Sequence, residues 1–481
     1  MASGESERFI VLGGRERRLQ GAEMAPGEGT AKPSQSAQET KAGSRPDPLL
    51  PTSLREIARK AKRSTSYRAG GLYSLLNPSN LTASFLGLNK KAARGSDWVT
   101  YAEYGSNLQV NIGDMVQRLK EKRYRAKLVR RVHIPKGDGK TRPLGIPAVS
   151  DKVLQGCAAQ ILSGIYECDF LPCSFGYRPH RGAKGAVMAV REGLRNRTAW
   201  VVEADIRGFF DNLDHDWLMK MLEQRVSDKA FLGLIWKWLK AGILEKDGNV
   251  VNPESGTPQG GIISPVLANI YLHYALDLWF EKVFRKDNCG GTAFLVRYAD
   301  DFVAGFQYRG DAYRFRAALA ERLGKFKLSL AEEKTGVHLF TRFRKRDSTR
   351  FSFLGFEYRW GRSLKGSDMV RLRTSPKRLQ KSLAGFTTWV KDRRNKRLRT
   401  LFWELNPKLR GYYNYFGVIG NWRGLKRFHD DVVRTLYRRL NRRSQMRSFN
   451  WKGFLSMLSH YGMEQPRITW GGEDQPCLSL A

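Results

Sequence analysis

At 481 residues the chain can fill two to four domains with sizeable cores. Its formal net charge of +38 exceeds what solubility asks for, and a phosphate backbone is the natural counterpart, because cations that neutralise phosphates release condensed counterions. The five cysteines (Cys157, Cys168, Cys173, Cys289 and Cys477) form no Cys-x-x-Cys pair and no apolar run approaches a membrane span, which excludes a zinc site of usual spacing and predicts a reducing, cytoplasmic setting without membrane contact.

Residues 1–53, rich in Gly, Pro, Ser and charge, read as a disordered tail; glutamates within it argue against an organelle-targeting helix. Globular patterning begins at Leu54. "LVRRVHIPK" and "AWVVEADI" read as strands, while "KVLQGCAAQILSGIY" and "AYRFRAALAERLGKF" carry apolar residues at helical spacing. Between extended segments, "HIPKGDGKTRPLGIP" at 133–147 predicts a hairpin tip bearing Lys136, Lys140 and Arg142. "FLVRYADDFVAGF" at 294–306 predicts a strand–turn–strand with Asp300 and Asp301 at the turn. Two like charges there repel, so a positive group is expected nearby. From about residue 376 strand signals fade and basic amphipathic stretches take over, including "RLQKSLAGFTTWVKDRRNKRLRTLFWEL" and "GLKRFHDDVVRTLYRRLNRR". They predict a separate helical bundle, and the fold class is α+β.

A Tyr-x-Asp-Asp string alone arises by chance in about one chain of this length in twenty, so a solvated turn is a serious alternative. Asp205, where an apolar run meets a turn, weakens it. An acid at a strand end and a double acid on a hairpin suit two divalent cations, which could activate an attacking hydroxyl and stabilise leaving pyrophosphate. Asp211, Asp214, His215 and Asp216 suit caps and turns better.

Taken together, "YADD" at 298–301, "DIRGFF" at 205–210 and "GTPQGGIISPVLANIYL" at 256–272 resemble the palm motifs of reverse transcriptases, and more narrowly those of group II intron reverse transcriptase–maturases. "IPKGDGKTRPLGIPAVSDKVLQ", "SFGYRPHRGAKGAV", "FSFLGFEY" and the maturase-like "LNPKLRGYYNYF" follow in the family's order. The resemblance covers roughly 54–470. It implies a right-hand polymerase: fingers over 54–200, an antiparallel palm over 201–375, a helical thumb or maturase domain X over 376–445 and a short basic segment over 446–481. Carried over residue by residue, it implies catalytic Asp205, Asp300 and Asp301. Asp205 and Asp300 would be the most direct ligands of two Mg²⁺ ions (Mn²⁺ a possible substitute), with the Ile206 carbonyl as a further ligand and Asp301 held less directly. Lys136 and Arg142 match triphosphate contacts, Phe210 a sugar gate, Pro258 and Gln259 the floor of the nucleotide pocket, and Leu354, Gly355 and Phe356 the primer grip.

The implied partners are group II intron RNA, an RNA template with DNA primer, dNTPs and target DNA. Lys391, Arg393, Arg394, Lys396, Arg397, Arg410, Arg438 and Arg439 are the candidate RNA contacts of the basic helices, although a run of charge is also what a solvated helix face shows. Cys477 by itself cannot build the Cys-rich endonuclease of the fullest family members, so bottom-strand cleavage is not expected. Two further readings stay open: a splicing maturase with weak or no polymerase activity, and a domesticated reverse transcriptase such as a CRISPR-linked one.

Overall fold

The computed structural model describes residues 52–137, 140–343, 348–363, 366–443 and 448–471, so the expected N-terminal tail and the hairpin-tip residues 138–139 lie outside the described residues. Strands β1 (Val129–Gly137), β2 (Lys140–Ile146), β3 (Trp200–Ala204), β4 (Ile243–Leu244) and β5 (Val250–Val251) come first. Then follow β6 (Ala293–Tyr298), β7 (Asp301–Phe306), β8 (Gly336–Leu339), β9 (Phe351–Phe353), β10 (Phe356–Arg362) and β11 (Asp368–Thr374). With the helices between them they give the expected α+β content, divided into two compact units: Met1–Phe170 with Phe210–Tyr274, and Leu171–Phe209 with Ala275–Ala481.

In the first unit β1 and β2 form an antiparallel hairpin with Ile134 opposite Arg142, and β4 and β5 extend its sheet in the order β2-β1-β4-β5. Helix Val149–Tyr166 is buried along most of its length, which is why its sequence is apolar nearly all round. Asp214 and Asp228 are N-caps. Asp214 accepts from the Trp217 N–H at 2.9 Å and Asp228 from those of Ala230 and Phe231 at 3.0 Å, satisfying donors a helix start leaves open.

In the second unit the central sheet has the order β6-β7-β3-β8, all antiparallel. Val201, Val202, Val303 and Ala304 are all buried, so the middle strands are covered on both faces, and this is why they read as apolar runs without alternation. The three-stranded sheet β11-β10-β9 and helices Pro376–Arg393, Leu398–Phe416, Trp422–Leu440 and Trp451–His460 complete the unit. One core runs from Val190, Val201 and Val296 through Phe351 and Phe356 to Leu405, Phe428 and Phe454. The basic helices therefore share the sheet's core. The stretch that reads as one helix over 378–405 is two, broken between Arg393 and Leu398, so the 389–403 run lies on two helices and their connection.

Behind the β6–β7 turn lies a fully buried ion pair. Arg297 donates from Nε and Nη2 to the two Asp277 oxygens at 2.8 and 2.6 Å, from Nη2 to Ser174 Oγ at 2.8 Å and from Nη1 to the Ala299 carbonyl at 3.0 Å. Burial acts against the Arg297 charge, and the carboxylates outweigh it, Asp277 foremost with Asp300 adding to it, holding the guanidinium above its ordinary value. Both side chains are 0% exposed, so removing one partner strands a buried charge. Asp277→Asn is expected to cost about 3 kcal/mol in urea denaturation; a loss under about 1 kcal/mol, typical of exposed pairs, would show that the pair does not anchor the turn.

Candidate active site

The acids of the second unit meet through strand register. In the β3–β7 ladder Ala204 is opposite Phe302, so Asp205 leaves β3 where Asp301 enters β7. Tyr298 pairs with Asp301, leaving Ala299 and Asp300 as a two-residue turn. Ala299 has φ +58°, a conformation that glycine fills without strain. The bond from Arg297 to the Ala299 carbonyl helps hold it. Gly176 explains part of "SFGYRP": a Cβ there would lie 2.4 Å from the Ala299 nitrogen, so only glycine lets that segment pass behind the turn.

The Asp205 and Asp301 carboxyls lie side by side. Desolvation, then the like charges of Asp300 and Asp205, push the Asp301 carboxyl up to about 6, while Lys334 pulls the other way. Asp301 still presents solvent surface at the turn, so the like-charge contribution is the chemically telling one. Lys334 donates to Asp205 Oδ2, and that hydrogen bond is the main cause of its raised ammonium pKa. The positive groups expected around the doublet are thus Arg297 behind it and Lys334 at Asp205. Sequence reasoning missed both. An arginine inside the apolar run "FLVRY" was an available signal, whereas nothing local marks Lys334.

Ile206 bridges to Leu330 through its neighbours' peptide groups: Ala331 N–H donates to the Asp205 carbonyl at 2.8 Å and Arg207 N–H to the Ser329 carbonyl at 2.9 Å. The Ile206 carbonyl takes no part in that bridge. Among the described residues no three Asp, Glu, His or Cys side chains are drawn together tightly enough to enclose an ion unaided. The donor set nevertheless fits a hard divalent cation, since Mg²⁺ keeps waters and shares substrate oxygens beside one or two carboxylates. Mutually repelling carboxylates with a lysine drawn onto them are a site short of positive charge.

The Glu203 carboxyl, two residues before Asp205, lies against the backbone of Ser352 in β9. Desolvation, aided by Asp301, pushes Glu203 up to about 7. The β9–β10 turn is Leu354–Gly355, with Phe353 paired to Phe356 and φ of +50° and +80°. Tyr415 Oη donates to the Leu354 carbonyl at 2.9 Å and Ser375 N–H to that of Gly355 at 2.9 Å. "FLGF" and "LNPKLRGYYNYF" are therefore in direct contact.

The first unit assembles most of the remaining candidates. Arg142 Nε donates to Gln259 Oε1 at 2.7 Å, and Gln259 Nε2 donates to Asp211 at 3.3 Å. Gly145 N–H bonds the Gln259 carbonyl at 2.8 Å, and a Cβ on Gly145 would press on Pro258 at 2.9 Å. Thr257 N–H reaches the Phe210 carbonyl at 2.8 Å, and Phe210 is 6% exposed. Arg142, Phe210, Pro258 and Gln259 thus come together, and Lys136 lies on β1. In the basic helices, Arg393 at 2.9 Å and Lys396 both pair with Glu404, and Arg410 pairs with Glu464. Lys391, Arg397 and Arg438 are exposed.

Residues 134–358 match the family model described as Reverse transcriptase (RNA-dependent DNA polymerase). Protein YkfC of Escherichia coli is 33% identical, over 59% of this chain and 83% of its own length. Group II intron-encoded protein LtrA of Lactococcus lactis is 31% identical, over 66% of this chain and 65% of its own length. The putative COX1/OXI3 intron 1 protein of Saccharomyces cerevisiae is 29% identical over 49% of this chain, which spans a third of that relative (33%). The chain belongs to the group II intron reverse transcriptase–maturase family. No helix among the described residues is long and apolar enough to cross a membrane.

Replacing Lys334 with Met is expected to tighten Mn²⁺ binding several-fold in titration calorimetry near neutral pH, because the ammonium and the cation compete for Asp205. Unchanged or weaker binding would show that Lys334 does not hold the cation's place.

Proposed function

We propose that this chain is an RNA-directed DNA polymerase that extends a DNA primer on an RNA template, and that it also binds intron RNA to assist splicing and retrohoming. The observation that carries the polymerase reading is the side-chain meeting of Asp205 and Asp301 across β3 and β7, with Asp300 at the same turn. Asp205 and Asp300, with the Ile206 carbonyl, would hold two Mg²⁺ ions, and Asp301 would sit less directly. Such ions, when bound, lower the pKa of the primer 3′-hydroxyl and stabilise the leaving pyrophosphate.

The protein's own groups do the rest. Lys136 and Arg142 carry positive charge to the triphosphate, where it stabilises the charge that grows as pyrophosphate leaves. Arg142 and Gln259 already bond one another, so nucleotide binding would exchange that contact for one to the substrate. Phe210 would exclude a 2′-hydroxyl by bulk. Leu354, Gly355 and Phe356 would hold the primer end, with Tyr415 fixing their turn. In this reading residues 54–200 form the fingers, 201–375 a palm that carries part of the fingers, and the helices from Pro376 a thumb that doubles as an RNA-binding surface. An RNA–DNA hybrid is A-like, so contacts to phosphate and 2′-hydroxyl groups would outweigh base readout. Lys391, Arg397 and Arg438 are the better candidates there, as Arg393, Lys396 and Arg410 already face carboxylates.

Primer extension on an RNA template with dNTPs and Mg²⁺ is expected from the purified protein and is expected to fall at least a thousandfold in Asp300→Asn, the scale of losing a metal ligand from a two-ion site. No extension by the unmodified protein would leave the maturase reading alone, and extension surviving in the variant would refute the metal assignment. Phe210→Ala is expected to raise incorporation of ribonucleotides relative to deoxynucleotides by tenfold or more, read from single-nucleotide kcat/KM values. Unchanged sugar selectivity would make Phe210 a packing residue.

A further inference from the structure

The first unit holds a cleft of ≈ 940 Å³ that the polymerase reading does not use. Six cations line it, Arg118, Lys122, Arg123, Arg125, Lys237 and Lys240, against one acid, Asp114. Pockets that enclose small molecules at this size are mostly apolar. A lining of this kind suits a polyanion instead.

Internal contacts account for half of that charge. Arg118 pairs with Asp114 at 2.8 Å, Arg123 pairs with Glu121, and Lys237 donates to the Tyr124 carbonyl at 3.0 Å. Lys122, Arg125 and Lys240 are exposed and have no acidic partner among the described residues. Lys122 has φ +57°, a backbone that glycine or asparagine adopts with less strain; a lysine stands there and faces the cleft.

The floor is rigid. Tyr124 Oη donates to Asp151 at 2.8 Å and accepts from Trp238 Nε1 at 2.9 Å, while the Lys127 N–H donates to the same carboxylate at 2.9 Å. One wall carries Trp236, half-buried, with the Lys240 ammonium 5.3 Å from its ring centre and the His215 ring meeting it edgewise at 6.0 Å. An aromatic ring beside cations that have no acidic partner is the combination that takes a base on its face and the adjoining phosphates on the charges.

The cleft lies at the foot of the β1–β2 hairpin. Val129 N–H bonds the carbonyl of Gly242, a lining residue, at 2.8 Å, whereas the tip closes where Gly137 pairs with Lys140. Eight residue steps of strand separate foot from tip, roughly 25 Å. A phosphate held at the foot is therefore a different phosphate from one met by Lys136 near the tip.

We propose that this cleft binds an unpaired RNA strand, with Lys122, Arg125 and Lys240 on its phosphates and one base stacked on Trp236. The proposal rests on the RNA-templated activity proposed above. The test uses the full chain and fluorescence anisotropy with a labelled single-stranded RNA and a blunt RNA duplex of equal length. K122A/R125A/K240A is expected to flatten the salt dependence of single-strand binding by about two in the log–log slope and to weaken it roughly tenfold at about 0.15 M salt. Trp236→Ala is expected to weaken single-strand binding about fivefold or more, with the slope kept and duplex binding unchanged. Melting temperatures equal to the unmodified protein's, and binding restored by K122R/R125K/K240R, make these effects local.

Two sources of unpaired RNA separate in further arms. Shorter products per binding event on a homopolymer template, with a competitor trap present, identify the template strand. Unchanged processivity with weaker binding to a folded RNA identifies a loop of that RNA. An unchanged slope in the triple variant, or equal loss of single strand and duplex in Trp236→Ala, overturns the proposal. So does a loss confined to phosphatidylserine vesicles. Primer extension by the unmodified protein keeps each of these failures distinct from failure of the polymerase reading.

Discussion

The buried contact between Arg297 and Asp277 is the constraint on which the second unit's acids depend. Placing an ion pair in a core is costly, and mutual attraction repays it only with good geometry and satisfied hydrogen bonds. Here at least four of the guanidinium's five N–H donors are used. Two bonds go to Asp277, one to Ser174 and one to the Ala299 carbonyl, so one side chain ties β6 to the segment beside it and to the turn that carries Asp300. The pair thus converts a stability cost into the position of a turn.

Charge compensation follows the same logic at smaller scale. Asp205, Asp300 and Asp301 repel one another, visibly in the raised Asp301 carboxyl, and Lys334 is drawn to Asp205 in response. An ammonium is a compact point charge on a flexible stem, which suits a group that must hold a carboxylate yet give it up. Arg297, buried and planar, is the fixed member and Lys334 the exchangeable one.

Each of the two hairpins that the polymerase reading needs carries backbone strain. Ala299 and Leu354 are non-glycine residues at positive φ, each the first residue of a two-residue turn. Each is held from outside the turn, Ala299 by Arg297 and Leu354 by Tyr415. Strained turns persist where surrounding structure over-determines them, and such turns cluster at functional sites.

Much of this protein was legible in its sequence. Strand-forming runs broken by turn residues located β1, β3, β6 and β7, helical spacing located Val149–Tyr166 and Arg309–Lys325, and the net charge pointed to a polyanion. The ordered motifs "YADD", "DIRGFF" and "TPQGG" carried the family, because local backbone chemistry and side-chain type are written residue by residue. Tertiary structure alone decided what depends on contacts between distant residues. Lys334 reaches Asp205 across 129 positions, and Ser174 reaches Arg297 across 123. It decided too that the basic run at 389–403 divides between two helices, that its Arg393 and Lys396 pair with Glu404, and that these helices share a core with the sheet. Periodicity reports which face of an element is apolar, but not which other face covers it, and a charge finds its partner only when the fold brings both to one place.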